Sequence, residues 1–320
     1  MKQKLLSKKA SVAVSKAIAV ITAVVLGSAM MVGGVGVIKK TVLPTTTTKV
    51  ESLFGISGDI GGGGGGDTPV QPKTYHMIVD GDSLNAVRTG SFDVDECNWH
   101  THVARELGMK YEIYTNADGD RWYKDNLAQS WSMVAKNTDY INSGKPTNLA
   151  SDERVNALVA RVNEVEGEGD AAFVILNGGT NDACQQGYLN NNSFKVELGN
   201  INSPHNEDTY YGALQLWFDK LQQRIPNAKI VFLGAPYTYD EGYYIKTGGT
   251  HDIVGFREAQ KAVCQKYGIQ YVDLRNLMHA NENTEDYENW SFTYLDNSGI
   301  HYNTPAGTQD MVNAIVSQLR

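Results

Sequence analysis

A serine hydroxyl becomes a nucleophile only where a base removes its proton and fixed donors receive the charge that develops on the attacked oxygen. Ser83 is placed for that chemistry. It lies in the Gly-Asp-Ser-Leu end of the stretch Tyr75-His76-Met77-Ile78-Val79-Asp80-Gly81-Asp82-Ser83-Leu84, which begins as an apolar run of strand length and must turn there. A Gly-Asp-Ser triplet alone is an ordinary turn, because Gly and Asp favour turns for backbone reasons. Its weight depends on what else the chain brings to the same place.

His301 is the candidate base, as the histidine of the loop just before the last predicted helix. Backbone N–H groups at Ser83 and Gly119, with the side-chain amide of Asn181, are the candidate oxyanion donors. Gly119 suits that role because a residue without a side chain lets substrate approach the backbone. His76, His100, His102, His205, His251 and His279 read as surface or core histidines. His100 and His102 are two apart, which points them to different faces of a helix, and no Cys/His cluster has zinc-ligand spacing. Neither a metal nor an organic cofactor is implied.

These residues need a scaffold, and hydrophobic periodicity supplies one. Strands are predicted at Tyr75 onward, Tyr111–Thr115, Ala171–Leu176, Lys229–Leu233 and Gln270–Leu274. Helices are predicted over Asp95–Leu107, with Gly108 as C-cap, and over Ser151–Val165, Asp208–Arg224, His251–Tyr267 and Pro305–Leu319. Arg121 to Asn148 reads as one helix plus loops. Strands alternating with helices, several of them apolar throughout, imply a parallel sheet covered on both faces. Ligands of such sheets bind beyond the C-terminal strand ends, where Ser83, Gly119 and Asn181 fall.

The N-terminus is of another kind. Lys2, Lys4, Lys8, Lys9 and Lys16 precede a stretch from Ala17 to Ile38 with no charge. As a helix that stretch spans about 33 Å at ~1.5 Å per residue, enough for a hydrocarbon core of ~30 Å. Residues 1–40 therefore read as an uncleaved signal-anchor, or as a signal peptide cleaved near Gly27-Ser28-Ala29. Either way the remainder is exported. Residues 41–73, with Thr45–Thr48, Gly61–Gly66, Pro69 and Pro72, form a flexible tether, and the folded domain covers 74–320. A net charge of −8 over 320 residues argues against a nucleic-acid partner. The three cysteines, Cys97, Cys184 and Cys264, allow one disulfide after export or three buried thiols.

Taken together, Gly81-Asp82-Ser83-Leu84, Gly119, Gly179-Thr180-Asn181-Asp182 and His301 follow the order and approximate spacing of the SGNH (GDSL) hydrolase family. The domain resembles that family from about Tyr75 to Arg320. The resemblance implies a flavodoxin-like three-layer α/β/α sandwich with a parallel five-stranded sheet that hydrolyses an ester. It implies Ser83 as nucleophile, Gly119 and Asn181 as oxyanion donors, and His301 as base. One position departs. The family usually carries an Asp three residues before the histidine, and Ser298 stands there. Asp296 completes a triad if the loop bulges; otherwise a backbone carbonyl or Ser298 orients the ring and a Ser-His dyad operates.

The expected function is an exported serine esterase that removes short acyl groups, acetyl above all, from a carbohydrate or cell-wall polymer. The membrane is contacted only through the N-terminal segment. Tyr237, Tyr239, Tyr243 and Tyr244 stack on sugar rings in this reading, or simply pack their loop. The alternatives are a lipase- or lysophospholipase-type acylhydrolase, an acyltransferase, and a carbohydrate-binding protein of the same fold that has lost turnover.

Overall fold

The structure, a computed structural model, describes residues 74–87, 97–115, 121–189, 191–236, 253–279, 301–302 and 304–320. The chain divides between Gly65 and Gly66, and every element below belongs to the second unit, Gly66–Leu319. The expected anchor and tether lie outside the described residues. Among the described residues no helix is long and apolar enough to cross a membrane.

Strand β1 (Tyr75–Asp80) is followed by α1 (Trp99–Leu107), β2 (Ile113–Thr115) and β3 (Arg121–Tyr123). Next come α2 (Thr138–Asn142), α3 (Asp152–Gly167), β4 (Ala171–Leu176), α4 (Thr180–Tyr188) and α5 (Tyr210–Arg224). The chain closes with β5 (Lys229–Leu233), α6 (Ile253–Tyr267), β6 (Gln270–Val272), α7 (Leu274–Leu277) and α8 (Pro305–Leu319). The main sheet is all parallel in the order β1-β4-β5-β6. Its residues alternate between two cores. Ile78, Ala172, Val174, Leu176 and Phe232 face one cluster built on α3, α5 and α6. Met77, Val79, Phe173 and Ile175 are buried outside that cluster, and α1 packs against α8. This is a three-layer α/β/α sandwich.

The helix ends follow their sequences. The Ser151 side chain accepts from the Arg154 N–H at the start of α3, and Gly108 adopts φ 65° at the end of α1. The β-branched and aromatic runs of β1, β4 and β5 are buried as continuous apolar strands must be.

Two expectations are corrected. Among the described residues the parallel sheet has four strands, because the expected second strand is not part of it. β2 pairs antiparallel with β3, Ile113 opposite Tyr123 and Thr115 opposite Arg121. The turn-forming sequence between them, Asn116-Ala117-Asp118-Gly119-Asp120, favours a hairpin over the long crossover that a parallel pair needs. The edge of β1 is covered instead by Lys110 and by Asp125–Gln129. The Val79 N–H donates to Asp125 O (2.7 Å), the Leu127 N–H to Val79 O (2.8 Å) and the Gln129 N–H to Gly81 O (3.0 Å). The segment 121–148, read as a helix with loops, therefore contains a strand, an edge segment and the short α2.

Candidate active site

The turn after β1 is built by side chains that the sequence offered only as turn formers. Gly81 takes φ 144°, and a Cβ there would meet Asn177 Oδ1 at 1.9 Å, so the position requires glycine. The Asn177 side chain, at the end of β4, accepts from the Asp82 N–H (3.1 Å) and donates to Asp82 Oδ1 (2.9 Å). Asp82 Oδ1 also accepts from the Leu84 N–H at 2.9 Å. The Asn85 amide donates to Asp80 O (2.9 Å). The ends of two neighbouring strands are thus tied together around Ser83.

Within that frame Ser83 Oγ lies 3.0 Å from His301 Nε2, although the two residues are 218 positions apart. Both are half-buried. His301 precedes α8, whose start is fixed by the Thr304 hydroxyl accepting from the Gly307 N–H at 3.0 Å.

Asn181 stands in the first turn of α4, 5% exposed. Its amide donates to Ser132 O at 2.8 Å, and its Oδ1 accepts from Gln185 at 2.7 Å. Its neighbour Asp182 accepts the Val134 N–H (2.9 Å) and the Ala135 N–H (2.9 Å). The two side chains together dock segment 132–135 onto the start of α4. Burial pushes the Asp182 carboxyl up to about 7 against the pull of those N–H groups, and the nearby Asp82 charge adds to the rise. Gly179 takes φ 117°, and a Cβ there would lie 2.4 Å from the Tyr210 hydroxyl.

Gly119, Asp296, Ser298 and the loop tyrosines Tyr237, Tyr239, Tyr243 and Tyr244 lie outside the described residues. Four residues with structural parts in the site, Asp82, Asn85, Asn177 and Asp182, were not singled out from sequence. The only signal for them was their place in Gly-, Asn- and Asp-rich strand ends. The three cysteines are buried and form no disulfide. Burial holds the Cys264 thiol far above its ordinary value.

At the opposite end of the sheet, donor atoms of His76, Glu168 and Asp170 lie within 4.8 Å of one another. The Lys110 ammonium already donates to both Asp170 oxygens (2.9 and 2.7 Å). That group is distant in the fold from Ser83, since β1 separates them.

A serine hydroxyl against an imidazole nitrogen at a strand end can carry out acyl transfer. The match to a family model agrees with that chemistry. Residues 81–307 match the model of the GDSL-like lipase/acylhydrolase family. No curated protein matches the chain. A solved structure from Lactobacillus plantarum is 17% identical over 77% of this chain and 97% of its own, with a TM-score of 0.51. A lipase/acylhydrolase from Enterococcus faecalis is 15% identical over 76% and 94%, with a TM-score of 0.41. A carbohydrate acetylesterase from Sinorhizobium meliloti is 14% identical over 77% and 97%, with a TM-score of 0.46. The chain belongs to the GDSL-like lipase/acylhydrolase family and is an SGNH-type ester hydrolase.

Proposed function

We propose that this hydrolase is an exported serine esterase that removes short acyl groups, acetyl above all, from a carbohydrate or cell-wall polymer. The observation that carries the mechanism is the 3.0 Å approach of Ser83 Oγ to His301 Nε2. His301 takes the Ser83 proton as Oγ attacks the ester carbonyl. The resulting oxyanion is received by the Ser83 backbone N–H, by Gly119 and by the Asn181 amide, which keeps one N–H beyond that given to Ser132 O. Collapse of the intermediate expels the alcohol, which leaves with the proton from His301. Water then attacks the acyl-Ser83 by the same steps in reverse. Asp296, or in a Ser-His dyad a backbone carbonyl or Ser298, orients the imidazole.

The location rests on the Lys-rich flank and uncharged stretch of residues 1–40, which support export and tethering to the outer membrane face. A carbohydrate or wall polymer carries the acyl esters that an enzyme held there would meet.

The test is labelling of the full chain with a fluorophosphonate, beside hydrolysis of 4-nitrophenyl acetate and octanoate. Ser83→Ala should abolish labelling and lower kcat by about 10⁴- to 10⁶-fold. Acetate should be preferred over octanoate. Labelling that persists in Ser83→Ala would place the nucleophile elsewhere, and octanoate preference would favour a lipid substrate.

A further inference from the structure

Asn181 supplies one of the oxyanion contacts in the mechanism above, and an amide side chain serves there only one way round. With its nitrogen toward the attacked oxygen it donates. Turned about its last torsion it presents Oδ1, an acceptor, to a developing negative charge. Its surroundings decide between the two. The Asn181 nitrogen donates to Ser132 O at 2.8 Å, and a main-chain carbonyl can only accept. The other end of the amide is held by Gln185, whose Nε2 donates to Asn181 Oδ1 at 2.7 Å.

Gln185 stands one helical turn beyond Asn181 on α4, so the two side chains meet at i, i+4 spacing. It is 3% exposed, and its polar atoms do little else. Nε2 lies 3.8 Å from Cys184 Sγ, a weak acceptor. Among the described residues Gln185 Oε1 accepts no hydrogen bond, although it is buried. An unmade bond at a buried acceptor is unfavourable, so packing alone does not account for an amide at this position. Turning that amide over would set Oε1 against Asn181 Oδ1, acceptor facing acceptor. The direction of the chain from Gln185 through Asn181 to Ser132 is therefore fixed by the carbonyl at its end.

We propose that Gln185 is a positioning residue of the esterase, which locks Asn181 with its amide nitrogen toward the ester oxygen. The Asn181 N–H that is not given to Ser132 O then faces the oxyanion without rearrangement as charge develops. The assignment rests on the reading of Asn181 as an oxyanion donor and adds what holds that donor the right way round. An interaction that serves the oxyanion and not the resting ester acts on kcat and leaves KM nearly alone.

The experiment measures kcat and KM of the full chain on 4-nitrophenyl acetate for Gln185→Met, Gln185→Leu, Asn181→Ala and the double variant Asn181→Ala/Gln185→Met. Asn181→Ala should lower kcat by roughly 10²- to 10³-fold, the loss of one oxyanion donor. Gln185→Met fills similar space without a donor and should lower kcat about 10- to 100-fold, with KM within about threefold. Gln185→Leu removes the same donor with a different shape and should do likewise, so a variant that circular dichroism shows to be misfolded leaves the other to decide. The double variant should be within about threefold of Asn181→Ala, because Gln185 has nothing to hold once the amide is gone. Folded Gln185 variants with unchanged kcat, beside an impaired Asn181→Ala, would overturn the proposal. So would a loss carried by KM, or losses that multiply in the double variant, since Gln185 would then act other than through Asn181. An unimpaired Asn181→Ala would instead overturn the donor reading of Asn181, and the assignment of Gln185 with it.

Discussion

At the N-terminal end of the sheet, buried charge is met by opposite charge. The Arg161 guanidinium donates to Asp125 Oδ1 at 2.7 Å and pairs with Glu164 (2.8 Å) and Glu112 (3.1 Å). His76 Nε2 lies 2.8 Å from the other Asp125 oxygen. Lys110 holds the Asp170 carboxyl below its ordinary value by hydrogen bonding. At the C-terminal end, around Ser83, the Asp182 carboxyl is held by backbone N–H groups instead, and burial drives it upward. The first arrangement stabilises the fold through ion pairs. The second uses the Asp182 carboxyl as a shaped acceptor for backbone N–H groups, while Asp80, the last residue of β1 before the Ser83 turn, is paired with the Arg154 guanidinium.

The largest expected effect separates the two ends by stability. Arg161→Leu leaves Asp125, which is fully buried, without its guanidinium. Losing one partner of a buried pair costs about 3–5 kcal/mol. Urea unfolding should show that loss, while kcat on 4-nitrophenyl acetate in the folded fraction stays within about threefold, because the pair lies far from Ser83. A proportionate fall in kcat would show that the two ends are coupled.

Asp182→Asn probes the other end and should give the reverse pattern. An asparagine can still accept one N–H, but its own amide group would face the remaining one. Segment 132–135 would then sit less firmly, and with it the Ser132 carbonyl that holds Asn181. Misplacement of that kind lowers kcat by roughly 10- to 100-fold. The pH dependence has a definite sign. Asp182 titrates near 7 in the fold and near 3.8 when free of it. Between those values the folded chain binds the proton that the unfolded chain has released, so stability falls as pH rises through the window. The Tm margin of the unsubstituted protein over Asp182→Asn should therefore narrow from pH 4 to pH 7. A margin that widens over that range would contradict the raised carboxyl.

This contrast also marks what the sequence could and could not reveal. β1, β4 and β5 are legible because a strand buried on both faces must be a continuous apolar run, and the helices because their caps and stripes are local. Ser83 and Asn181 were legible as residues at strand ends. The edge of β1 was not, because Asp125–Gln129 owes its place to backbone bonds with residues nearly fifty positions away, and its own composition is polar. β2 was legible as a strand but not as half of a hairpin, since partner choice is a long-range property. The tasks of Asp82, Asn177 and Asp182 were hidden for a related reason. Asn and Asp in Gly-rich stretches look like turn formers whether they bond their own backbone or a segment brought in from elsewhere.

The smallest effect gives the sharpest test of sign. Lys110 is half-exposed, with 55% of its side chain accessible, so its pair with Asp170 is screened by solvent and worth at most about 1 kcal/mol. Because Asp170 is held below its free value of 3.8, the contribution is present above that pH and vanishes as the carboxyl is protonated in acid. Lys110→Met should thus lower Tm slightly at pH 7, leave it unchanged near pH 2, and leave kcat alone. The direction is opposite to that for Asp182, whose protonation in acid favours the fold. The two carboxyls respond to pH with opposite signs because burial dominates at Asp182, whereas the Lys110 hydrogen bond dominates at Asp170. A Lys110→Met penalty that persists in acid would mean that the lysine acts through the packing of its stem rather than its charge.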